Sequence, residues 1–437
     1  MQRVPVRVGL LGCGHVGGAL ARLLVTDGGR ISARTGLDLQ LAAVAVRSLA
    51  RHRELELPDG VLGPDPRAVV SDPSIDIVVE VIGGIEPARG LILDALKSGK
   101  AVVTANKELL ANCGPELFEA AAAAGVDLLF EAAVAGGIPL IRPLRESLAG
   151  ERILRVMGIV NGTTNYILSR MTESGASFED ALVEAQGLGF AERDPTADVE
   201  GFDAAAKAAI LANVAFGARV VAGDVYREGI DAITTADIAV ARRMGYVIKL
   251  LAVVEADPSG ATASISVRVH PAMVPANHPL ASVRDSFNAV FVVGEALGDL
   301  MLLGRGAGGM PTASAVLGDV LDAAHNRLVG GAGRSLALRQ VPLRPIDDVV
   351  SAYYLTLAVA DRPGVLHAVS GVLGANRVSI RSMEQEASEK ERTCPDDARL
   401  VFVTHPAVER DVRACLDDLR QLDAVHRVGS LIRVVEG

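Results

Sequence analysis

A continuous apolar segment, Val6 to Leu11, runs straight into Gly12-Cys13-Gly14-His15-Val16-Gly17, and Ala19 to Val25 follows with helical spacing. The first glycine permits a tight turn, the second lets the backbone approach a pyrophosphate, and the third lets helix and strand pack closely, with the helix N-terminus facing the anion. Gly12, Gly14, His15, Val16 and Gly17 are therefore expected to line a dinucleotide, the side chains of Cys13 and His15 being passengers. Further strands follow at Ile75 to Val81, ending in Ile82-Gly83-Gly84, and at Ala101 to Thr104, ending in Ala105-Asn106-Lys107, with a helix from about Pro87 to Ser98 between them. Alternation at these lengths specifies an α/β fold with a Rossmann-type doubly wound parallel sheet. Lys107 stands at a strand's carboxyl end, where such sheets bind ligands, so a contact to the nicotinamide ribose or the substrate is expected. The second strand, near Leu39 to Val46, ends in Arg47-Ser48 with no acid to hold a free ribose hydroxyl. Arg47 suits the 2′-phosphate of NADP, while a merely solvated Arg47 leaves NAD open.

The densest acid–base chemistry lies between residues 192 and 211, which read Glu-Arg-Asp-Pro-Thr-Ala-Asp-Val-Glu-Gly-Phe-Asp-Ala-Ala-Ala-Lys-Ala-Ala-Ile-Leu. From Gly201 the composition is helical, and it stays apolar to about Ala218. Asp203, Lys207, Ile210 and Val214 share one stripe, and the opposite side shows only Ala205, Ala208 and Ala212, where a solvated helix would carry charge. The helix reads as buried. An exposed i,i+4 ion pair would contribute only about 0.3 to 0.5 kcal/mol. A buried lysine beside carboxylates is instead a natural proton carrier. Glu192, Asp194 and Asp198 precede it in a Pro-containing loop that could offer carboxylates to a cationic ligand group.

Of the 43 basic residues only six are lysine, so the chain uses arginine wherever either cation would serve. Lys107 and Lys207 occupy motif-like contexts where an ammonium of adjustable pKa is not replaceable by a guanidinium. A net charge of -10, 3% aromatics and no Trp argue against a nucleic-acid surface. No apolar run is long enough to span a bilayer and the N-terminus lacks signal-peptide anatomy, so a cytoplasmic protein without membrane contact is expected. Cys13, Cys113, Cys394 and Cys415 lack metal-ligand spacing and read as reduced, structural thiols.

Farther along, Asp127 to Glu131 leads into a turn of small residues, Ala132 to Pro139. Its backbone carbonyls with Glu131 could hold a monovalent cation, and a purely structural turn is an equal alternative. Strand-like Val156 to Val160 precedes Asn161-Gly162-Thr163-Thr164-Asn165-Tyr166-Ile167, which turns into a helix with Thr163 and exposed N–H groups placed to receive a carboxylate. Gly304 to Thr312 is a second Gly-rich loop, and a helix to about His325 is expected to return the chain to the nucleotide sheet. Residues 330–351 read as a linker. Residues 352–437 then read as βαββαβ: strand Tyr354 to Val359, helix Val365 to Ala375, strand Val378 to Met383, a polar hairpin tip, strand Leu400 to Thr404, helix Glu409 to Gln421 and strand Ser430 to Val435.

The combination of the glycine turn, Thr104-Ala105-Asn106-Lys107, the Asn161 to Ile167 segment and the spacing of Glu192, Asp198, Asp203 and Lys207 resembles homoserine dehydrogenase, and the C-terminal unit resembles an ACT regulatory domain. The resemblance covers nearly the whole chain; the glycine turn alone is generic. It implies a nucleotide domain at 1–140 completed by a helix at 305–328, an α+β catalytic and dimerisation domain at 141–304 and an ACT domain at 352–437. It further implies Lys207 as general acid–base, Glu192 and Asp203 holding L-homoserine with Asp198 nearby, Gly189 and Gly306 lining the cofactor beside Glu192, and Lys107 near the nicotinamide. Glu131, Val134, Gly136 and Ile138 match the family's sodium site, where Na+ or K+ is expected. An aspartate kinase domain, fused in some members, is expected to be absent. Interconversion of L-homoserine and L-aspartate 4-semialdehyde, threonine as effector at Arg362 to Val365 and Asn376, and a homodimer or homotetramer follow as expectations. The competing readings are another NAD(P)-dependent dehydrogenase of a small amino or hydroxy acid, or a ligand sensor without turnover. The Asp203 and Lys207 pair argues against the sensor, because binding alone rarely needs an acid–base lysine.

Overall fold

The apolar run Pro5–Leu11 pairs in parallel with Asp38–Ala45 on one side and Ile77–Glu80 on the other. Leu62–Gly63, Ala101–Thr104 and Leu128–Leu129 extend the ladder, again in parallel, so the spatial order is third, second, first, fourth, fifth, sixth. That order reverses beside the first strand, at the crevice where open α/β sheets take their ligands. In this computed structural model residues 5–49, 57–257, 263–387 and 397–436 are described, and they fall into two compact units.

The first unit comprises Met1–Gly162, Asp203–Val225 and Phe287–Val341. Its sheet is covered by helices whose apolar stripes it buries: Val6, Val8 and Leu10 share a core with Leu20 and Leu24 of helix His15–Thr26 and with Ala313, Val316, Val320 and Ala324 of helix Gly309–Leu328. The late helix thus returns to the nucleotide sheet. It begins at Gly309 rather than 305, because Arg305 ends the strand Gly298–Arg305 and Gly308 adopts φ 120, outside helical space. Ile153–Ile159, Phe287–Gly294 and Gly298–Arg305 form an antiparallel trio in the same unit. The alanine-rich helix spans Phe202–Phe216 and buries residues on every side, Asp203 and Lys207 among them.

The second unit comprises Thr163–Phe202, Tyr226–Ser286 and Pro342–Gly437. Tyr246–Ala256 and Ile265–Pro275 pair antiparallel along their whole length. The C-terminal βαββαβ unit is present as Val350–Ala360, Val365–Ala375, Ile380–Ala387, Asp397–Thr404, Glu409–Arg420 and Val425–Val434. Its last strand begins five residues ahead of the expected Ser430, since pairing with Val350–Ala360 and, at Arg433 and Val434, with Ile265–Pro275 overrides the polar pattern of His426 and Arg427. The expected linker is not slack: Arg339 bridges to Ala218 in the first unit and Leu343 to Ile265 in the second. Cys13, Cys113 and Cys415 are free thiols, whereas Cys394 and the expected hairpin tip at 388–396 lie outside the described residues. Among the described residues no helix is long and apolar enough to cross a membrane.

Candidate active site

The carboxyl ends of two adjacent strands are tied together by a buried carboxylate. Glu80 accepts from the amides of Ile82 (2.8 Å) and Gly83 (3.1 Å) through Oε1, and Thr104 Oγ1 donates to its Oε2 at 2.6 Å. Thr104 Oγ1 in turn accepts from the Asn106 amide, and Asn106 donates Nδ2 to Gly84 O and caps Leu109 N with Oδ1. An N-cap of this kind starts a helix at a defined residue. Helix Lys107–Ala124 therefore begins with Lys107 held above the sheet edge.

Lys107 reaches Asp203, pairing its Nζ with Oδ1. The other oxygen, Oδ2, accepts from Lys207 Nζ at 2.7 Å and from Asn161 Nδ2 at 2.9 Å. Lys207 Nζ also donates to the Val160 carbonyl at 2.6 Å, and Asn288 Nδ2 donates to the same oxygen at 3.0 Å. The Asp203 and Lys207 side chains are 6% and 10% exposed, which excludes a solvated surface pair. Burial pushes the Asp203 carboxyl up, but the ammoniums of Lys207 and Lys107 more than reverse this and hold it well below the usual carboxylate range. Asp203 is thus a fixed anion between two ammoniums, able to orient a lysine that gives and takes a proton.

The glycine turn has the shape the sequence requires. Gly12 adopts φ 100, and a Cβ on Gly17 would lie 2.1 Å from Gly12 O. Among the described residues a Cβ on Gly14 would meet nothing within 4 Å, and helix His15–Thr26 starts without a side-chain cap, so its first amides are those that could receive an anion such as a pyrophosphate. Gly17→Ala is accordingly expected to weaken NADPH binding at least tenfold, because the strand–helix contact must open; a fluorescence titration of NADPH measures it. Arg47 lies exposed, two residues past the end of strand Asp38–Ala45.

At the small-residue turn, Glu131 is 2% exposed and its carboxylate accepts from the amides of Leu140 (2.5 Å), Ile141 (2.7 Å) and Arg142 (2.8 Å). Its side chain is thus committed to the backbone, and a cation here would draw on the carbonyl oxygens of Glu131, Val134, Gly136 and Ile138. Ala135 and Gly136 are both left-handed, and a Cβ on Gly136 would lie 2.3 Å from Gly306 O, so the turn sits directly against the second Gly-rich loop. Among the described residues no group of three or more His, Cys, Asp and Glu side chains is placed to hold a metal ion.

In the second unit Thr163, in the first turn of helix Gly162–Ser174, donates Oγ1 to Phe190 O at 2.7 Å, so its hydroxyl proton is already placed. Gln186 Nε2 donates to Glu192 O at 3.0 Å, and Asp194 Oδ1 accepts from Thr196 N and Oγ1, which folds the 186–196 segment on itself. Gly189 is left-handed at φ 77 within it. The Glu192 side chain is exposed and Asp198 is half-buried in the short helix Thr196–Val199.

Comparison with known proteins places this geometry. Residues 139–321 match the family model for homoserine dehydrogenase, 12–131 that for the homoserine dehydrogenase NAD-binding domain, and 353–424 that for the ACT domain. Homoserine dehydrogenase of Mycobacterium tuberculosis is 50% identical over 98% of both chains, and that of Corynebacterium glutamicum is 49% identical over 98% of this chain and 95% of its own. The chain belongs to the homoserine dehydrogenase family. It shares that family's class, the NAD(P)-dependent oxidoreductases. The crystal structure of a homoserine dehydrogenase from Thiobacillus denitrificans superposes with a TM-score of 0.91 at 41% identity, covering 99% of each chain. A hyperthermophilic archaeal homoserine dehydrogenase mutant in complex with NADPH matches 76% of this chain and all of its own, with a TM-score of 0.63 at 30% identity.

Sequence reasoning passed over several groups that this homoserine dehydrogenase fold buries beside its lysines. Glu80 and Asn288 look like ordinary strand residues until their partners are seen, and Asn161, though it opens the Asn161 to Ile167 motif, had no role of its own. Lys249 had a signal, the single charge inside the apolar stretch 247–254 of strand Tyr246–Ala256. It is 2% exposed, donates to Asn165 Oδ1 (2.8 Å) and Val283 O (2.5 Å), and is pulled down to about 8 by burial. A depressed folded pKa means that the burial penalty is fully felt below about pH 8 and is relieved as pH rises toward the unfolded value of about 10.4. The stability of the wild type relative to Lys249→Met is therefore expected to rise across that window, and urea midpoints at a series of pH values measure it.

Proposed function

We propose that the chain interconverts L-homoserine and L-aspartate 4-semialdehyde, with Lys207 as the acid–base group and NADP as the preferred dinucleotide. The observation that carries this reading is the buried Asp203 held between Lys107 and Lys207 in a unit that also contains the glycine turn. The bound dinucleotide supplies hydride acceptance and donation. In the oxidation, Lys207 Nζ takes the proton of the alcohol as the carbon–oxygen double bond forms; in the reduction it returns that proton to the carbonyl oxygen. Asp203 holds Lys207 in place through both directions. The remaining assignments belong to the same proposal: Glu192, Asp198 and Thr163 on the amino acid, Gly189, Gly306, Lys107 and Arg47 on the dinucleotide, and a monovalent cation at the carbonyls of the Glu131 to Ile138 turn. Residues 1–140 with the 305–328 segment serve the nucleotide, 141–304 the substrate, and 352–437 bind threonine as effector, in a cytoplasmic homodimer or homotetramer.

Absorbance at 340 nm with aspartate semialdehyde and either NADPH or NADH, with and without threonine, tests the reading. Faster oxidation of NADPH, suppressed by threonine, is expected. Turnover with NADH alone removes the Arg47 argument, indifference to threonine removes the effector, and no oxidation of either cofactor removes the substrate.

A further inference from the structure

We propose that Asn288 is a positioning residue for the acid–base lysine: by donating Nδ2–H to the Val160 carbonyl it fixes the oxygen against which Lys207 is held. The inference rests on Lys207 being that acid–base group. The Val160 oxygen has two lone pairs and both are taken, one by Lys207 Nζ at 2.6 Å and one by Asn288 Nδ2 at 3.0 Å. The carboxamide cannot be reversed, since its oxygen would then face another oxygen. In the orientation this imposes, Asn288 Oδ1 has no hydrogen-bond partner among the described residues, although the residue is 1% exposed. Buried amides are normally satisfied at both ends, and a half-satisfied one serves a strand interior worse than an apolar residue of similar volume. A purely structural role therefore explains Asn288 poorly, whereas anchoring the Val160 carbonyl explains the orientation it adopts.

The surroundings are shaped to the same end. Asn288 stands on strand Phe287–Gly294, next to Ala289, whose register partner is Ile159, one residue short of Val160. On its other side is Gly306, where a Cβ would lie 2.1 Å from both Cγ and Nδ2 of Asn288. Gly306 O is in turn the atom that a Cβ on Gly136 would strike. Glycines at 136 and 306 thus admit the carboxamide to its place, and a continuous packed line runs from the Glu131 to Ile138 turn through Gly306 and Asn288 to the Val160 carbonyl and Lys207. A residue that sets only the aim of a proton-transfer group affects the chemical step and leaves ligand affinity alone.

The test uses the full chain with Asn288→Ala and Asn288→Ser, alone and combined with Lys207→Arg, measuring kcat, both KM values and the NADPH dissociation constant. Asn288→Ala is expected to lower kcat about 10- to 100-fold with KM and NADPH affinity changed less than threefold, and Asn288→Ser, which keeps a hydroxyl donor, to lie between it and the wild type. In the Lys207→Arg background Asn288→Ala is expected to lower the residual rate no further, because a residue acting through Lys207 has nothing left to position. Wild-type kcat in both folded variants, a loss confined to KM, or a full additive loss in the Lys207→Arg background overturns the proposal. Near-normal kcat in Lys207→Arg itself overturns the acid–base reading beneath it, a result separable from the first three.

Discussion

Asp203→Asn is expected to lower kcat about 10²- to 10⁴-fold, the range in which loss of a positioned proton-transfer group falls, and to destabilise the fold by about 3 kcal/mol. The side chain is 6% exposed, and its carboxylate is the shared partner of Lys107 and Lys207. Removing its charge leaves two ammoniums facing each other over a neutral amide, and a buried ion pair broken on one side costs more than the intact pair contributed. The pH dependence has a definite sign. A carboxyl held below its unfolded value contributes stability that is present above about pH 4 and lost as pH falls through that value toward the folded one. Wild type should therefore lose stability on acidification faster than Asp203→Asn, which has no such carboxyl to protonate. Chemical denaturation at about pH 7, 4 and 3 reads both the absolute difference and its slope below pH 4.

Lys207→Arg is expected to lower kcat about 10⁴-fold, to a small residual rate, while NADPH affinity stays within a factor of about three, because the guanidinium keeps the positive charge beside Asp203 but cannot give up a proton at any working pH. The arginine also brings a planar fork into a space where Lys207 Nζ sits 2.6 Å from the Val160 carbonyl and 2.7 Å from Asp203. Misplacement and lost proton transfer act in the same direction on kcat. Melting temperature separates them from unfolding, since the cation and its ion pair are retained.

The parts of this protein that were legible in its sequence are those written in local pattern. The glycine turn requires a positive φ at Gly12 and close packing at Gly17, constraints that no other residue type meets. The alanine-rich helix announces burial because nothing else explains charges stranded among Ala, Ile and Leu. The ACT unit was legible through the alternation of its strands and helices, though pairing rather than propensity decided where its last strand began. What the sequence does not carry is distance between parts of the chain. Lys107 and Asp203 form an ion pair across nearly a hundred residues, Asn161 donates to that same carboxylate, and Asn288 and Glu80 act through a carbonyl and backbone amides whose positions only the fold supplies. Glu131 shows the same limit: the sequence marks its turn as a candidate cation site, but not that its carboxylate accepts from three amides.

The most direct test of the account is hydride transfer from NADPH to aspartate semialdehyde, followed at 340 nm in a single turnover, for wild type and Lys207→Arg at matched NADPH saturation. The acid–base assignment predicts a burst in the wild type and no burst in the variant, which still binds NADPH and oxidises it only at a residual rate about 10⁴-fold lower. A variant that transfers hydride at a rate near that of the wild type would contradict it, and the proton would have to travel by another group.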